Sequence, residues 1–471
     1  MRFITILFIL FTSLNITAQT AITKQQAYND FDFLVDKIET VNPSIKIKSQ
    51  LYGYSIIDSI KSYRKDIEKD TSFEGLYNIV KKALNSCLDG HSAITGPFLL
   101  YKNNINLRLY LNYYNGVYFT IRPFTYNGQH YPMGGKLVSI NGHSSDSIID
   151  TLQPYRYMLR HDHTRNKFYS EIFYLADNYI QQNRIKLGFE YNSTVITDTF
   201  YIDKAVDFDN PIEHFEDTKK VTYFDSLSIL YIRVPTMDWA NRNFYKKAIK
   251  KAAKSRTIKK VVVDVRYNSG GSSVTGRNIM RMLIDKPIKH HTKNYGNNPQ
   301  FLTKKYKKLH GYNTHITTDT IGFLSNSVFY KFIDRPTVIK PFKQSIKHKG
   351  PIYIIGNEWI YSAAGAIFQF ANANSSDNII SIGTRTGHML GEFSDPLHFT
   401  LPNSGINFII APAIDFTGVT NTQNLFLDYY NYEVTPTPAQ QQCRYTYKGD
   451  IYGQDYLIKY DPYFKPVIIN K

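Results

Sequence analysis

The sequence predicts an α/β protein of several domains built on a mainly parallel sheet, and three observations carry that prediction. Between Ser228 and Gly383, short apolar runs alternate with helix-compatible stretches, the pattern of strands joined by crossover helices. Two of those runs, Val261-Val262-Val263-Asp264-Val265 and Pro351-Ile352-Tyr353-Ile354-Ile355, are apolar almost throughout, as strands buried on both faces are. The chain has 471 residues, 42% of them hydrophobic, enough for two or three domains with a large core and too apolar for a disordered chain.

Residues 1–18 read as a secretory signal peptide. Arg2 gives a charged start, Phe3 to Phe11 an apolar core broken only by Thr5, and Ile16-Thr17-Ala18 a cleavage site. That core is too short to remain as a membrane anchor, and no later stretch reads as a transmembrane helix. No cysteine stands directly after the cleavage site, where a lipoprotein would carry one. The expectation is a soluble exported protein, periplasmic or secreted, whose mature chain starts near Gln19. Residues 19–98 then form a helical segment. Thr23 with Gln26 and Thr71 with Glu74 predict capping boxes. Phe73, Leu76, Tyr77, Val80, Leu84, Cys87 and Leu88 form a helical apolar stripe, which makes Cys87 a core thiol. Gly90, in Asp89-Gly90-His91-Ser92, is the expected helix stop and leaves His91 at a turn.

Residues 99–215 change to strand composition. Strands are predicted at Ile105 to Leu111, Gly116 to Ile121, Gly134 to Gly142 with an Asn-Gly turn, and Leu187 to Tyr201, with a helix at Ser147 to Leu152. A polar boundary containing Pro211 follows. Residues 216–440 hold the alternating core. Its strands are Ser228 to Val234, Val261 to Val265, Pro351 to Ile355 and Asn378 to Gly383. Its helices are Phe244 to Lys254, whose lysines read as a solvated face, and about Ser273 to Ile284. Residues 290–345, basic and aromatic, read as an irregular insertion or lid, and 441–471 as a C-terminal extension.

Three positions carry chemistry. Ser362 stands where the Pro351–Ile355 strand gives way to the small, apolar helix Ala363 to Phe370, so free amides and the positive end of a helix dipole face its hydroxyl. It is either a nucleophile or an N-cap serine. Gly270-Gly271 follows a buried strand and is either an anion-receiving loop or an ordinary turn. His91 is either a general base, with an unperturbed pKa of about 6.5, or a structural histidine. Two cysteines, Cys87 and Cys443, exclude a disulfide framework and a thiolate zinc site, and the adjacent His290-His291 pair does not suit a shared metal, so no metal or organic cofactor is expected. The net charge of +17, from 56 basic and 39 acidic residues, comes with no nucleic-acid module, and no nucleic-acid partner is expected.

From about residue 24 to 437 the sequence resembles the C-terminal processing (tail-specific) peptidases and their tricorn-type relatives, a serine peptidase family. Seven pieces occur in the family's order: Asp89-Gly90-His91-Ser92, the PDZ-like Gly134 to Gly142, Val261 to Gly271, Ser362-Ala363-Ala364, Gly383-Thr384-Arg385-Thr386-Gly387, Leu401-Pro402-Asn403-Ser404-Gly405, and Val434-Thr435-Pro436-Thr437. The resemblance implies a crotonase/ClpP-like β-β-α core and a partly PDZ-like middle segment. It implies Ser362 as nucleophile and an oxyanion hole from the amides of Gly270 or Gly271 and of Ala363. The lysine that one branch places after the Thr-x-Gly turn is replaced in this neighbourhood by His388, an alternative base. The tricorn-like branch uses a histidine at the position of His91, supported by a late carboxylate. Here that acid is Glu433 or Asp428.

The reading is therefore an exported serine endopeptidase that cuts polypeptides through an acyl-enzyme on Ser362. Two rivals stand beside it: a catalytically silent binding protein on the same fold, and a polyanion-binding protein using the basic stretch Lys304 to Lys308.

Overall fold

The computed structural model describes residues 22–470 apart from 96–108, 110, 153–159, 163–164, 166, 170–183, 202–205, 209–217, 314, 325–326, 375–377, 385–391, 394 and 426–429. The signal-peptide reading, the strand from Ile105 as far as Arg108, His388 and Asp428 lie outside the described residues.

The chain begins with helices α1 (Lys24–Val41), α2 (Ser44–Tyr52), α3 (Ile56–Lys61) and α4 (Phe73–Ser86). Thr23 and Gln26 cap α1 reciprocally. The cap of α4 is Ser72, which accepts from the Gly75 amide, and not Thr71. Asp70 Oδ1 takes the Ser72 amide at 2.9 Å, which seats the cap one residue later than the sequence pattern suggested. Cys87 is fully buried beside Leu84 and Val80.

This helical core is not self-contained. Leu401, Ile406, Phe408 and Ile410 complete it. They belong to the hairpin Leu397–Thr400 and Asn407–Ile410, which pairs with the short strand Ala93–Thr95 directly after His91. The buried Asp30 carboxylate on α1 accepts from Asn403 N and Nδ2, both at 2.8 Å, and from Ser404 N at 2.7 Å. Leu401-Pro402-Asn403-Ser404-Gly405 is thus the hairpin turn that locks the N-terminal helices to the core. It also fixes where the segment carrying His91 must lie.

The middle segment pairs strands Leu111–Tyr114, Val117–Thr120, Lys136–Ile140, Arg184–Tyr191 and Thr194–Tyr201 in one antiparallel sheet, with helix α5 (Ser145–Leu152) beside it. The stretch read as one strand from Leu187 to Tyr201 is a hairpin. Its turn residues Asn192 and Ser193 sit at φ 46° and 66°, the positive values that a tight two-residue connection demands.

The central sheet has six strands in chain order: β1 (Lys220–Phe224), β2 (Ile229–Arg233), β3 (Lys260–Asp264), β4 (Ile352–Ile355), β5 (Ile379–Gly383) and β6 (Tyr432–Glu433). Only the β1–β2 pair is antiparallel. Period-two alternation sends Leu230, Ile232, Val261, Val263, Ile352 and Ile354 to one face. There they pack against α6 (Arg242–Ala253), α7 (Ser273–Leu283) and α8 (Ala363–Ala373).

Tyr231, Val262, Tyr353 and Ile355 go to the other face, where Tyr452, Tyr456, Leu457, Phe464 and Val467 cover them. These come from the C-terminal segment, with helices α9 (Pro438–Thr446), α10 (Gln454–Lys459) and α11 (Lys465–Ile469). What the sequence suggested to be an extension is the second cover of the core.

The 290–345 stretch is also not irregular. Strands Ile288–Gly296 and Val328–Ile339 pair along their length in a five-stranded sheet. Its basic and aromatic composition suggested otherwise, and Pro336 lies inside the second strand. The neighbouring strand Thr317–Thr320 reaches only as far as Lys331, so Pro336 removes no bond from that side.

Candidate active site

Ser362 is the residue before α8, and its backbone is at φ 52°, ψ −124°. A non-glycine residue in that region is held there by its surroundings. Its hydroxyl makes no capping bond to the helix. This decides against the N-cap alternative, because a capping serine has extended backbone and an oxygen turned onto its own helix.

The turn is fixed from beneath. Tyr361 N donates to Asn268 O at 3.0 Å and Tyr267 N donates to Asn357 Oδ1 at 2.9 Å, so the loops after β3 and β4 hold each other. Asn268 is fully buried; its Nδ2 donates to Val234 O at 2.9 Å and its Oδ1 accepts the Gly270 amide at 2.8 Å.

Gly270 needs to be glycine. Its φ is 111°, and a Cβ there would stand 2.7 Å from the Cβ of Ser362 and 3.2 Å from Ala363 N. Of the two glycines, Gly270 has already spent its amide on Asn268. Gly271 has not: Met237 N donates to Gly270 O at 2.9 Å and Ser272 N donates to Met237 O at 2.8 Å, which leaves the groups of Gly271 on the opposite edge. Among the described residues the amides of Gly271 and Ala363 have no hydrogen-bond partner.

Below this loop lies a buried ion network. Arg266 donates to Asp264 through Nε at 3.0 Å and Nη2 at 2.6 Å, and through Nη1 to Asp461 at 2.6 Å; Tyr231 Oη donates to Asp264 at 2.7 Å. Burial alone would raise the Asp264 carboxyl. The adjacent guanidinium outweighs burial and holds it down to about 2. Asp264, the one charged residue in the run Val261–Val265, is thereby explained, and Asp461 of the network comes from the C-terminal segment.

His91 reaches Ser362 from the N-terminal helices. Its Nε2 lies 3.4 Å from Ser362 Oγ. Its backbone amide donates to Asp89 Oδ1 at 2.9 Å, and Asp89 is itself fixed by Ser92 Oγ at 2.7 Å and Asn42 Nδ2 at 3.2 Å. The buried Lys48 ammonium holds Leu88 O. Leu88, at φ 54°, takes the left-handed position after the helix, so Gly90 is not the helix stop that the sequence suggested. Gly90 is required for another reason: a Cβ there would stand 2.4 Å from Tyr361 Oη.

That tyrosine was not singled out in the sequence. Its hydroxyl lies 2.8 Å from His91 Nδ1 and the two rings stack with centroids 4.7 Å apart. Of the two acids considered, Glu433 is exposed at the end of β6, opposite Gly383, and Asp428 is outside the described residues, as is His388. Among the described residues no group of three His, Cys, Asp or Glu is placed to hold a metal. His291 pairs with Asp334 instead, and His290 packs edge-on against Phe370.

Residues 228–423 match the family model described as peptidase family S41. No curated protein matches the chain. Among solved structures the chain is similar to mature CPAF, at TM-score 0.63 and 14% identity over 95% of this chain and 98% of that one. It is similar to mature CPAF complexed with lactacystin at 0.61 and 14%, over 95% and 99%. The photosystem II D1 C-terminal processing protease aligns at 0.43 and 14%, over 93% and 99%. At such identity the likeness to CPAF is one of fold. The match to the peptidase family S41 model spans β2 to the segment before β6 and contains both Gly270-Gly271 and Ser362.

Proposed function

We propose that the protein is an exported serine endopeptidase that hydrolyses polypeptides through an acyl-enzyme on Ser362, with His91 as general base. The observation that carries this is the 3.4 Å approach of His91 Nε2 to a serine hydroxyl turned away from its own helix. Hydrogen bonds of this kind are often somewhat long in a resting enzyme and tighten with substrate.

Nε2 takes the hydroxyl proton as Oγ attacks the scissile carbonyl. The oxyanion is received by the amides of Ala363 and Gly271, which have no other partner among the described residues. His91 then passes the proton to the leaving amine, and the C–N bond breaks. Water repeats the sequence on the ester: His91 takes its proton, the acyl–oxygen bond breaks, and Ser362 regains its hydrogen. The free edge at Gly271 gives an extended peptide a backbone to pair with beside the nucleophile. No helix among the described residues is long and apolar enough to cross a membrane. Export rests on residues 1–18.

The test is labelling of the folded, purified protein with a fluorophosphonate, with the adduct mapped by mass spectrometry, alongside hydrolysis of a peptide library. Wild type should label at Ser362 and cut peptides. His91→Ala should lose both by at least about a hundredfold, while His388→Ala keeps most of both. Folded wild-type protein that neither labels nor cuts would leave the binding-protein reading in its place. The reverse pattern of the two histidine variants would move the base to His388.

A further inference from the structure

We propose that Tyr361, the residue before the nucleophile, is the positioning residue of His91: its hydroxyl holds Nδ1, fixes the ring plane and keeps Nε2 turned to Ser362. The inference rests on the reading of His91 as base and goes beyond it in naming what orients that base.

Four observations converge on this side chain. Oη lies 2.8 Å from Nδ1. The rings stack at 29° with centroids 4.7 Å apart, so the imidazole is held by a face contact as well as by a hydrogen bond. Gly90, next to the histidine in the chain, has no room for a Cβ: it would meet Tyr361 Oη at 2.4 Å and Cζ at 2.6 Å. The Tyr361 amide donates to Asn268 O at 3.0 Å, which ties the same residue to the loop that carries Gly270 and Gly271. Base, nucleophile and oxyanion loop therefore share one rigid residue. A tyrosine only 7% exposed at the head of α8 has little freedom to leave that position.

The chemistry follows from the proton count. For Nε2 to accept the Ser362 proton, the neutral ring must carry its hydrogen on Nδ1. Tyr361 Oη then accepts from Nδ1–H, and it continues to accept when the ring becomes an imidazolium with donors at both nitrogens. A carboxylate at Nδ1 would also raise the ring's basicity by its charge; a neutral phenol orients the ring and adds only a hydrogen bond. Tyr361 acts through His91.

The experiment is Tyr361→Phe, which keeps the stacked ring and removes only the hydroxyl. The first readout is the pH dependence of fluorophosphonate labelling and of kcat/KM. We expect about a tenfold slower reaction at neutral pH, the size of one neutral hydrogen bond. The acid limb should shift downward by roughly half a unit, because the imidazolium loses an acceptor. The second readout needs no activity: 15N-histidine NMR of the whole protein, with the His91 signals identified by their loss in His91→Gln. In wild type Nδ1 should carry the proton. In Tyr361→Phe the ring should lose that preference and titrate lower. Gly90→Ala, which drives a methyl into the hydroxyl, should reproduce the rate loss with Tyr361 still present.

Unchanged rate, acid limb and tautomer in Tyr361→Phe would overturn the proposal. A wild-type enzyme that never labels would refute the peptidase reading, while the tautomer measurement would still decide for or against Tyr361.

Discussion

The backbone of Ser362 should make it the least comfortable residue at the head of α8, and this can be measured. At φ 52°, ψ −124° a side chain costs about 1–3 kcal/mol. Replacing Ser362 by alanine or by glycine removes the same hydroxyl, and with it the same contact to His91. Alanine keeps the Cβ and its strain; glycine releases both. Against that release stands the extra freedom of glycine in the unfolded chain, roughly 0.5–1 kcal/mol. Gly270 leaves so little room that its own Cβ would stand 2.7 Å from that of Ser362, so losing the serine Cβ opens no large void. The balance favours Ser362→Gly over Ser362→Ala by about 1 kcal/mol. Both variants lack the hydroxyl proposed as nucleophile, so self-digestion does not complicate the comparison. Denaturant midpoints of the core transition, measured side by side, give the difference. An alanine variant as stable as the glycine variant, or more so, would refute the reasoning: the elbow would then store no strain.

Arg266→Met should destabilise the core by about 3–5 kcal/mol, since it leaves Asp264 and Asp461 buried without their cation; a denaturation midpoint close to wild type would contradict that. The same network predicts a pH dependence. Asp264 has a folded pKa of about 2, below the ordinary carboxylate value near 3.9, so its contribution is complete above about pH 4 and is lost as the pH falls toward 2. Its size is on the order of 2 kcal/mol at neutral pH. Wild type should therefore lose more stability between pH 4 and 2 than Asp264→Asn does, and equal losses would exclude Asp264 as the source. Mass spectrometry of protein taken from its native host should find a mature chain that starts near Gln19; an intact Met1 on soluble protein would exclude cleavage.

Much of the central sheet was legible because its signals are local. Val261 to Val265 and Pro351 to Ile355 are apolar on both faces only because both faces are covered, and no other strand environment asks for that pattern. What covers them could not be read in the same way. The C-terminal residues Tyr452, Tyr456, Phe464 and Val467 carry no long helical period, since they sit on two short helices and in the turns before and between them. Short elements bury single residues, and periodicity needs several turns to be visible. The 397–410 hairpin escaped for a different reason. It follows β1 to β5 in the chain but packs with helices that precede it by more than 300 residues, a relation set by tertiary contact alone.

The candidate site divides along the same line. Ser362 and Gly270-Gly271 are positions where a strand ends and a helix begins, and that boundary is written in adjacent residues. The relation of Ser362 to His91 spans 271 residues and came only from resemblance to a family. Tyr361 had neither kind of signal. Beside a small, apolar helix start, an aromatic residue reads as core packing, and its hydroxyl is easily ignored. The clue was on the other side of the chain: a glycine at position 90 whose backbone never takes a positive φ. Such a glycine asks what approaches it, and the answer is the tyrosine hydroxyl that His91 also meets. The sequence therefore held both halves of the contact, each with an ordinary local explanation. Only their meeting shows that the helix-stop reading of Gly90 and the packing reading of Tyr361 were incomplete for the same physical reason.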